Sequence, residues 1–552
     1  MKARAFFCFL ITVCLTHAVD VRAQWPSGIT KPVGIQGNDN RMLPDGSGGV
    51  FVVCCQYSGK VYMQRLNSFG QRMWGMNGRN ISVTGSGYPY PQLISDGAGG
   101  VIVVWYSSDA VHGTLRAQRV DASGDIQWAA GGVLVSSLSV VSGYDYPIVS
   151  DGAGGAIIAW QDWSGTPGMW VEGDDIYAQR INAAGALQWG SNGVRLAGAQ
   201  FVQENPVITS DGSGGAIIAW VDWRNGDEET NFFFDTYVQR VDALGSPVWV
   251  TDGIMLNEPG SDGTAIQIVT DGAGGAIISW GSDQRRVQRM NASGVAQWAN
   301  FGVPISTRPF PDRYKMIADG SGGAFVAWSE GEWVYDLYCQ RLNADGIPLW
   351  TTDGVPVSTA NGNQMIWSAA LDGTGGMLLT WNDLSADPNS RDIYAQRLTG
   401  AGTPVWQTGG VVVAAGPLNQ ANPSITTDGG TGAIVAWAEA NYVWAQRIAT
   451  VPSAVGETPS LGDLEVLANY PNPFAFATQL RINVVKDSAA RITVYDVAGR
   501  RVRDSIARLH AGTNGVMFDG RDDIGRKLPS GVYLYRVQAN GQGATRKIVI
   551  AR

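Results

Sequence analysis

The sequence predicts an all-β chain of eight like units with a smaller β module behind them, on three observations. A DGxGG turn followed by an apolar run recurs eight times, opening at Asp45, Asp96, Asp151, Asp211, Asp271, Asp319, Asp372 and Asp428, the last copy reading DGGTG. A Gln-Arg pair follows every copy, at Gln64-Arg65, Gln118-Arg119, Gln179-Arg180, Gln239-Arg240, Gln288-Arg289, Gln340-Arg341, Gln396-Arg397 and Gln446-Arg447. Beyond the N-terminus no segment shows sustained helical periodicity, and turn residues cut the chain into short extended runs. A unit repeated at this spacing cannot bury its own apolar face, so neighbouring copies must pack together.

Residues 147–196 illustrate one unit. Pro147 to Ser150 is a short extended run that ends in the turn Asp151-Gly152-Ala153-Gly154-Gly155, where glycines supply positive φ at low steric cost. Ala156 to Trp160 is an apolar run bounded by turns, as in a strand buried on both faces, and Ile176 to Ile181 alternates as a third strand. Asn182 to Gly185 is another turn, and Gln188 to Leu196 is a fourth strand region. Four short strands and a Trp per unit describe a β-propeller blade, and eight blades can close one ring.

The ends of the array predict how it closes. Seven copies carry a Trp after Gln-Arg, from Trp74 to Trp406, while the eighth stops at Arg447-Ile448-Ala449-Thr450 without one. The missing piece, Gln24-Trp25 through Thr30, precedes the first turn and is expected to supply the outer strand of the last blade. An open superhelix would instead leave both ends uncapped.

Residues 1–23 read as a secretory signal, with Lys2 and Arg4 before the apolar stretch Ala5 to Leu15 and Val21-Arg22-Ala23 at the cut. No other stretch is long and apolar enough to span a bilayer as a helix. A net charge of −9 without a basic block gives no footprint for nucleic acid. Outside the signal only Cys54, Cys55 and Cys339 remain, an odd number, and Cys54 stands where the other blades have the second-strand Trp; a small buried core residue is expected there. Histidine is confined to His17, His112 and His510, which excludes a multi-His metal site, and no phosphate-binding loop opens a helix.

After the propeller (24–450) and a Pro- and Ser-containing linker (451–463), residues 464–552 return to alternating strands, as in a small β-sandwich. The stretches Asn469 to Phe474 (NYPNPF), Ile492 to Val502 (ITVYDVAGRRV), Leu528 to Val537 (LPSGVYLYRV) and the closing RKIVIAR carry a resemblance. They resemble the Ig-like C-terminal sorting domain of type IX secretion cargo, and the related Ig-like domain of the flagellar hook-capping protein. The resemblance implies a Gram-negative bacterium, engagement of the type IX machinery, passage across the outer membrane, and surface attachment or release. The repeats are similar to DIYAQR-type units of bacterial secreted proteins of unknown function, as in Asp175 to Arg180 and Asp392 to Arg397, and that likeness implies no activity.

The Asp of each turn and the Arg of each Gln-Arg pair recur once per blade, so a structural ion pair at one rim is expected of them. Variation between copies is more informative about function. The connection between second and third strands is longest in blades three and four, then seven. Blade three offers Asp162, Trp163, Trp170 and Asp174, blade four Asp222, Trp223, Asp227 and Asp235, and blade seven Asp383, Asp387, Arg391 and Asp392, all on the face opposite the glycine turns. The first eight are the candidate ligand contacts. Their aromatic planes and carboxylates suit a glycan or a cell-surface protein; no cofactor is required, although clustered Asp oxygens could hold calcium. Two readings compete with this one: a carboxylate pair cleaving a glycosidic bond, which needs carboxyls about 5–9.5 Å apart, and a solvated acidic rim with Trp packed between blades.

Overall fold

The computed structural model describes residues 20–23, 33 and 35–451 of the repeat region and 464–550 of the C-terminal region. Outside the description are 57, 83–87, 109–112, 139–145, 163–172, 227–233, 260, 283, 309–312, 332–333, 385–390 and 416–417 in the first region. In the second they are 467–473, 475–476, 485, 497–498, 511 and 540–541. The chain divides into two compact units, Met1–Ser453 and Ala454–Arg552.

The described part of the first unit folds as eight four-stranded antiparallel sheets. In blade three the strands Ile148–Ser150, Ala156–Gln161, Ile176–Ile181 and Val194–Ala197 pair in sequence order, as the repeat predicts. Each apolar second strand is buried along its length, which explains why it lacks alternation. The hydrophobic core is eight clusters, each shared by two neighbouring blades; the one formed by Val50, Val52 and Cys54 with Ile434, Ala436 and Val443 joins the first blade to the last and closes the ring. Cys54, Cys55 and Cys339 are buried thiols outside any disulfide, and burial pushes all three up.

The turn sequence is set by close approach. In blade three Gly152 and Gly154 have φ of +74° and +82°, and a Cβ on Gly155 would lie 2.2 Å from the Ile181 carbonyl oxygen. Asp151 Oδ1 accepts the amides of Ala153 and Gly155, each at 2.8 Å. Its Oδ2 takes the Arg180 guanidinium at 3.0 Å, so the Asp and Arg of one blade meet at one rim as expected. The same pair forms in all eight blades, at 2.7–3.0 Å. Each Arg also donates from Nη1 to a carbonyl of the following blade, Arg180 to Ala243 at 3.1 Å, and around the circle to Arg447 with Ser68 of blade one at 3.4 Å. Six of the Trp residues after Gln-Arg donate to the same carbonyls, as Trp189 does to Ala243 at 3.2 Å. The repeated motif is therefore an inter-blade staple.

Closure uses the N-terminal segment, with pairing that is described on either side of the stretch expected. Asp20–Ala23 pairs antiparallel with the third strand of blade eight, from Ala23 opposite Ile448 to Asp20 opposite Val451. Farther along that strand, Val443 donates to Ile35 and Gln36 bridges Tyr442. The third strand of blade eight, Tyr442–Val451, runs ten residues because no turn follows Ile448, and the added edge needs cover. The expected segment 24–30, with Trp25, lies outside the described residues. Asp20–Ala23 falls within the stretch read as the signal; a chain cut after Ala23 would retain, among the described residues, the contacts of Ile35, Gln36 and Gly37 with this strand and its turn.

The second unit holds a three-stranded and a four-stranded antiparallel sheet. They enclose one core that includes Phe474, Ile482, Ile492, Tyr535 and Ile548. This two-layer arrangement is the expected β-sandwich.

Candidate functional site

The hairpins between second and third strands lie at the end of each blade away from the glycine turns. The connections that enter each first strand lie there too: Gln203 donates to Asp174 at 2.8 Å and Trp223 to Val202 at 3.0 Å. The described candidate residues lie toward this long-loop face, and several of them have work inside the scaffold.

Asp222 is fully buried. Its Oδ2 accepts the Trp220 indole N–H at 2.8 Å, and its two oxygens hold the Arg224 guanidinium at 2.8 and 2.5 Å. Arg224 in turn lies over the Tyr237 ring, 3.9 Å from its centroid. Asp235, also fully buried, accepts Asn225 on one oxygen and Asn257 on the other, each at 2.7 Å. Asp162 is 2% exposed and accepts the Asp175 amide at 3.0 Å. These three were expected to contact a ligand directly; in the structure each is buried and accepts hydrogen bonds inside the scaffold, as a carboxylate that braces its own loop does. Trp223 is half-buried against Phe234, ring centroids 4.9 Å apart and edge-on, and donates to Glu204 at 3.1 Å. Asp174 accepts Gln161 at 2.8 Å, and burial raises its carboxyl against that hydrogen bond. Burial likewise raises Asp175, against its ion pair with Arg195. Trp163, Trp170 and Asp227 lie outside the described residues, as does Asp387 of blade seven.

A pattern in the sequence explains the buried acids. The residue two places after the second-strand Trp is Asp162, Asp222, Glu330, Asp383 and Glu439 in blades three, four, six, seven and eight. In four of these blades it accepts the indole N–H: Trp220 to Asp222, Trp328 to Glu330, Trp381 to Asp383 and Trp437 to Glu439, at 2.8–3.3 Å. Blade three departs from it: Trp160 Nε1 is buried without a partner among the described residues, while Asp162 accepts the Asp175 amide. Aligning the copies at Trp rather than counting loop acids would have found this role.

Sequence reasoning missed the first strands. They contact one another around the ring and line the central channel, where a cavity of about 590 Å³ opens. Arg41 from Asn38–Pro44 of blade one and Lys315 from Tyr314–Ala318 of blade six occupy equivalent positions, four residues before the turn Asp; Arg313 and Trp367 also line the cavity. Arg313 lies over Trp367, 4.4 Å from the ring centroid. Burial, with Arg41 and Arg313 adding to it, pushes the Lys315 ammonium down to about 8. A second cleft of about 440 Å³ adjoins it, sharing Asp39 and lined by the stacked pair Tyr88 and Tyr90 with Glu439 and Asn441. The sequence signal was present in the variation of that single position, which reads Arg, Gln, Pro, Val, Gln, Lys, Ser, Ser around the ring. Among the described residues no group of three acidic, His or Cys side chains is placed to hold a metal ion, and no helix is long and apolar enough to cross a membrane.

Residues 468–551 match the family described as the secretion system C-terminal sorting domain. The chain thus carries the sorting domain that its NYPNPF and LPSGVYLYRV motifs indicate, and the protein is secreted or displayed on the outer-membrane exterior. No curated protein matches the sequence. Among solved structures the chain is similar to PorZ, an essential surface component of the type IX secretion system of Porphyromonas gingivalis, at 12% identity over 92% of this chain and 74% of that one, TM-score 0.28. It is also similar to the BP39L lectin of Burkholderia pseudomallei (13% identity, 69% of this chain, 99% of that one, TM-score 0.43). A third is the polysaccharide lyase Uly1 (9% identity, 68% and 93%, TM-score 0.40). Identities and scores this low attach no activity to the chain.

Proposed function

We propose that this exported propeller is a binding protein of the cell surface, with a glycan or a surface protein recognised on the long-loop face. One observation carries this reading. Asp162, Asp222 and Asp235 are consumed in bracing the loops of blades three and four, which stiffens the surface that carries the Trp223–Phe234 pair. A rigid base under variable loops suits recognition. The test is binding of the full chain to a glycan array with and without calcium, repeated with Trp163→Ala and Trp223→Ala. Selective binding lost in both variants supports the reading; binding that ignores both variants places recognition elsewhere, and no binding in any condition removes the glycan.

One observation favours a second reading, a carbohydrate-active enzyme on blade three. Burial holds both Asp174 and Asp175 above the ordinary carboxyl range, the direction a general acid requires. Depolymerisation of any member of a polysaccharide panel, abolished in Asp174→Asn or Asp175→Asn but not in Trp223→Ala, would favour it over binding alone.

A further inference from the structure

We propose that the central channel binds an oxyanion, the carboxylate, sulfate or phosphate group of a ligand entering from the long-loop face, through Lys315, Arg41 and Arg313. This assigns a site and a charge class that the surface-binding reading lacks, and it uses none of the loop residues on which that reading is tested.

The cation balance sets the channel apart from the rest of the propeller. At the opposite rim all eight arginines of the Gln-Arg pairs face an Asp at 2.7–3.0 Å. In the channel cavity three cations line the wall against one carboxylate, Asp39, in a chain whose net charge is −9. Asp39 stands 3.8 Å from Arg41, a loose pair, and Arg41 otherwise donates to the neighbouring Asn40 carbonyl at 3.2 Å. Lys315 has no hydrogen-bond or ion-pair partner among the described residues, and its closest charged influences are both like-signed. Arg313 is steadied by the Trp367 face, which fixes its plane. Gathering like charges in a partly desolvated channel opposes folding unless an anion offsets it. The other polar groups nearby are occupied: Gln267 spans the Tyr314 carbonyl and the Met316 amide, at 2.8 and 2.9 Å, and Ser424 donates to Asn40 at 3.2 Å. Among the lining cations Lys315 is therefore the donor left to a ligand, with Arg41 only loosely held. About 590 Å³ accommodates an acid-bearing ring of one or two sugar units.

The experiment is calorimetric titration of the full chain at low ionic strength with glucuronate, inorganic sulfate and, as the neutral frame, glucose. Saturable binding of glucuronate or sulfate but not glucose is expected. Lys315→Met should weaken it about tenfold or more, the scale of a lost charge-assisted contact, and Arg41→Gln should weaken it too. Lys527→Met, the same change at an exposed lysine of the second unit, should leave it unchanged. Sulfate equal to glucuronate identifies a bare oxyanion site, and tighter glucuronate identifies an acidic sugar. Absence of saturable binding by either anion overturns the proposal, as does equal binding of glucose or retention of wild-type affinity in Lys315→Met and Arg41→Gln. If Lys315→Met fails to unfold cooperatively, Arg41→Gln decides. A silent channel beside a positive glycan array leaves the surface-binding reading standing, and the reverse result removes only the loop site.

Discussion

The two rims of this propeller use the same side chains to opposite ends. At the glycine-turn rim every Arg meets an Asp of its own blade and a carbonyl of the next, so the charges are neutralised in place and lock blade to blade. Around the channel on the long-loop side, Arg41, Arg313 and Lys315 come from blades one and six, with only Asp39 among the lining carboxylates. What recurs eight times is construction, and what occurs in one or two copies is available for recognition. Charge alone does not separate the two; the balance of cations and carboxylates does.

The comparison breaks most visibly at a staple. Arg240→Ala leaves the buried Asp211 carboxylate with only its two amide donors, and it should cost about 3–5 kcal/mol in denaturant unfolding. A loss under about 1 kcal/mol would mean the pair acts as an ordinary surface bridge. Asp222→Asn on the long-loop side should cost about 1–3 kcal/mol, because Arg224 stays buried without its counter-charge and one indole acceptor is weakened. An unchanged midpoint there would return Asp222 to the list of free ligand groups.

Lys315→Met should run the other way and stabilise by about 1–2 kcal/mol at neutral pH. The folded-state value of Lys315, about 8, lies below its unfolded value of 10.5, so the penalty for its charge is fully present below pH 8. It disappears as pH rises from 8 to 10.5, and the gap between variant and wild type should close over that window in pH-dependent unfolding. The smallest effect is at acid pH. Burial tends to raise Asp96, but the amides of Ala98 and Gly100 and the Arg119 guanidinium outweigh it and hold the carboxyl below the usual range. Its contribution is present above about pH 4 and is lost as pH falls through the depressed value, so Asp96→Asn should lose less stability than wild type between pH 4 and 2.

Blade number, strand order within a blade, the Asp–Arg pairing and the C-terminal sorting domain could all be read from the chain. Each rests on local spacing repeated many times: glycines where φ is positive, apolar runs where a strand is buried on both faces, and turn residues between them. The candidate ligand residues were legible only as acidic and aromatic loops. That Asp222 caps Trp220, or that Asp235 is held between Asn225 and Asn257, depends on the direction each side chain takes once the hairpin packs, and local periodicity does not carry it. That Asp20–Ala23 takes part in closure was likewise not legible, since pairing follows whichever edge is left exposed.

By itself, then, the sequence determined the repeating scaffold and its export domain, because those follow from short-range stereochemistry and from motifs contiguous in the chain. Only the tertiary structure decided where cations come to outnumber carboxylates. Arg41 and Lys315 are separated by more than half the propeller's sequence and come to line one cavity only when the ring closes, where water is partly excluded and Lys315 feels the arginines beside it.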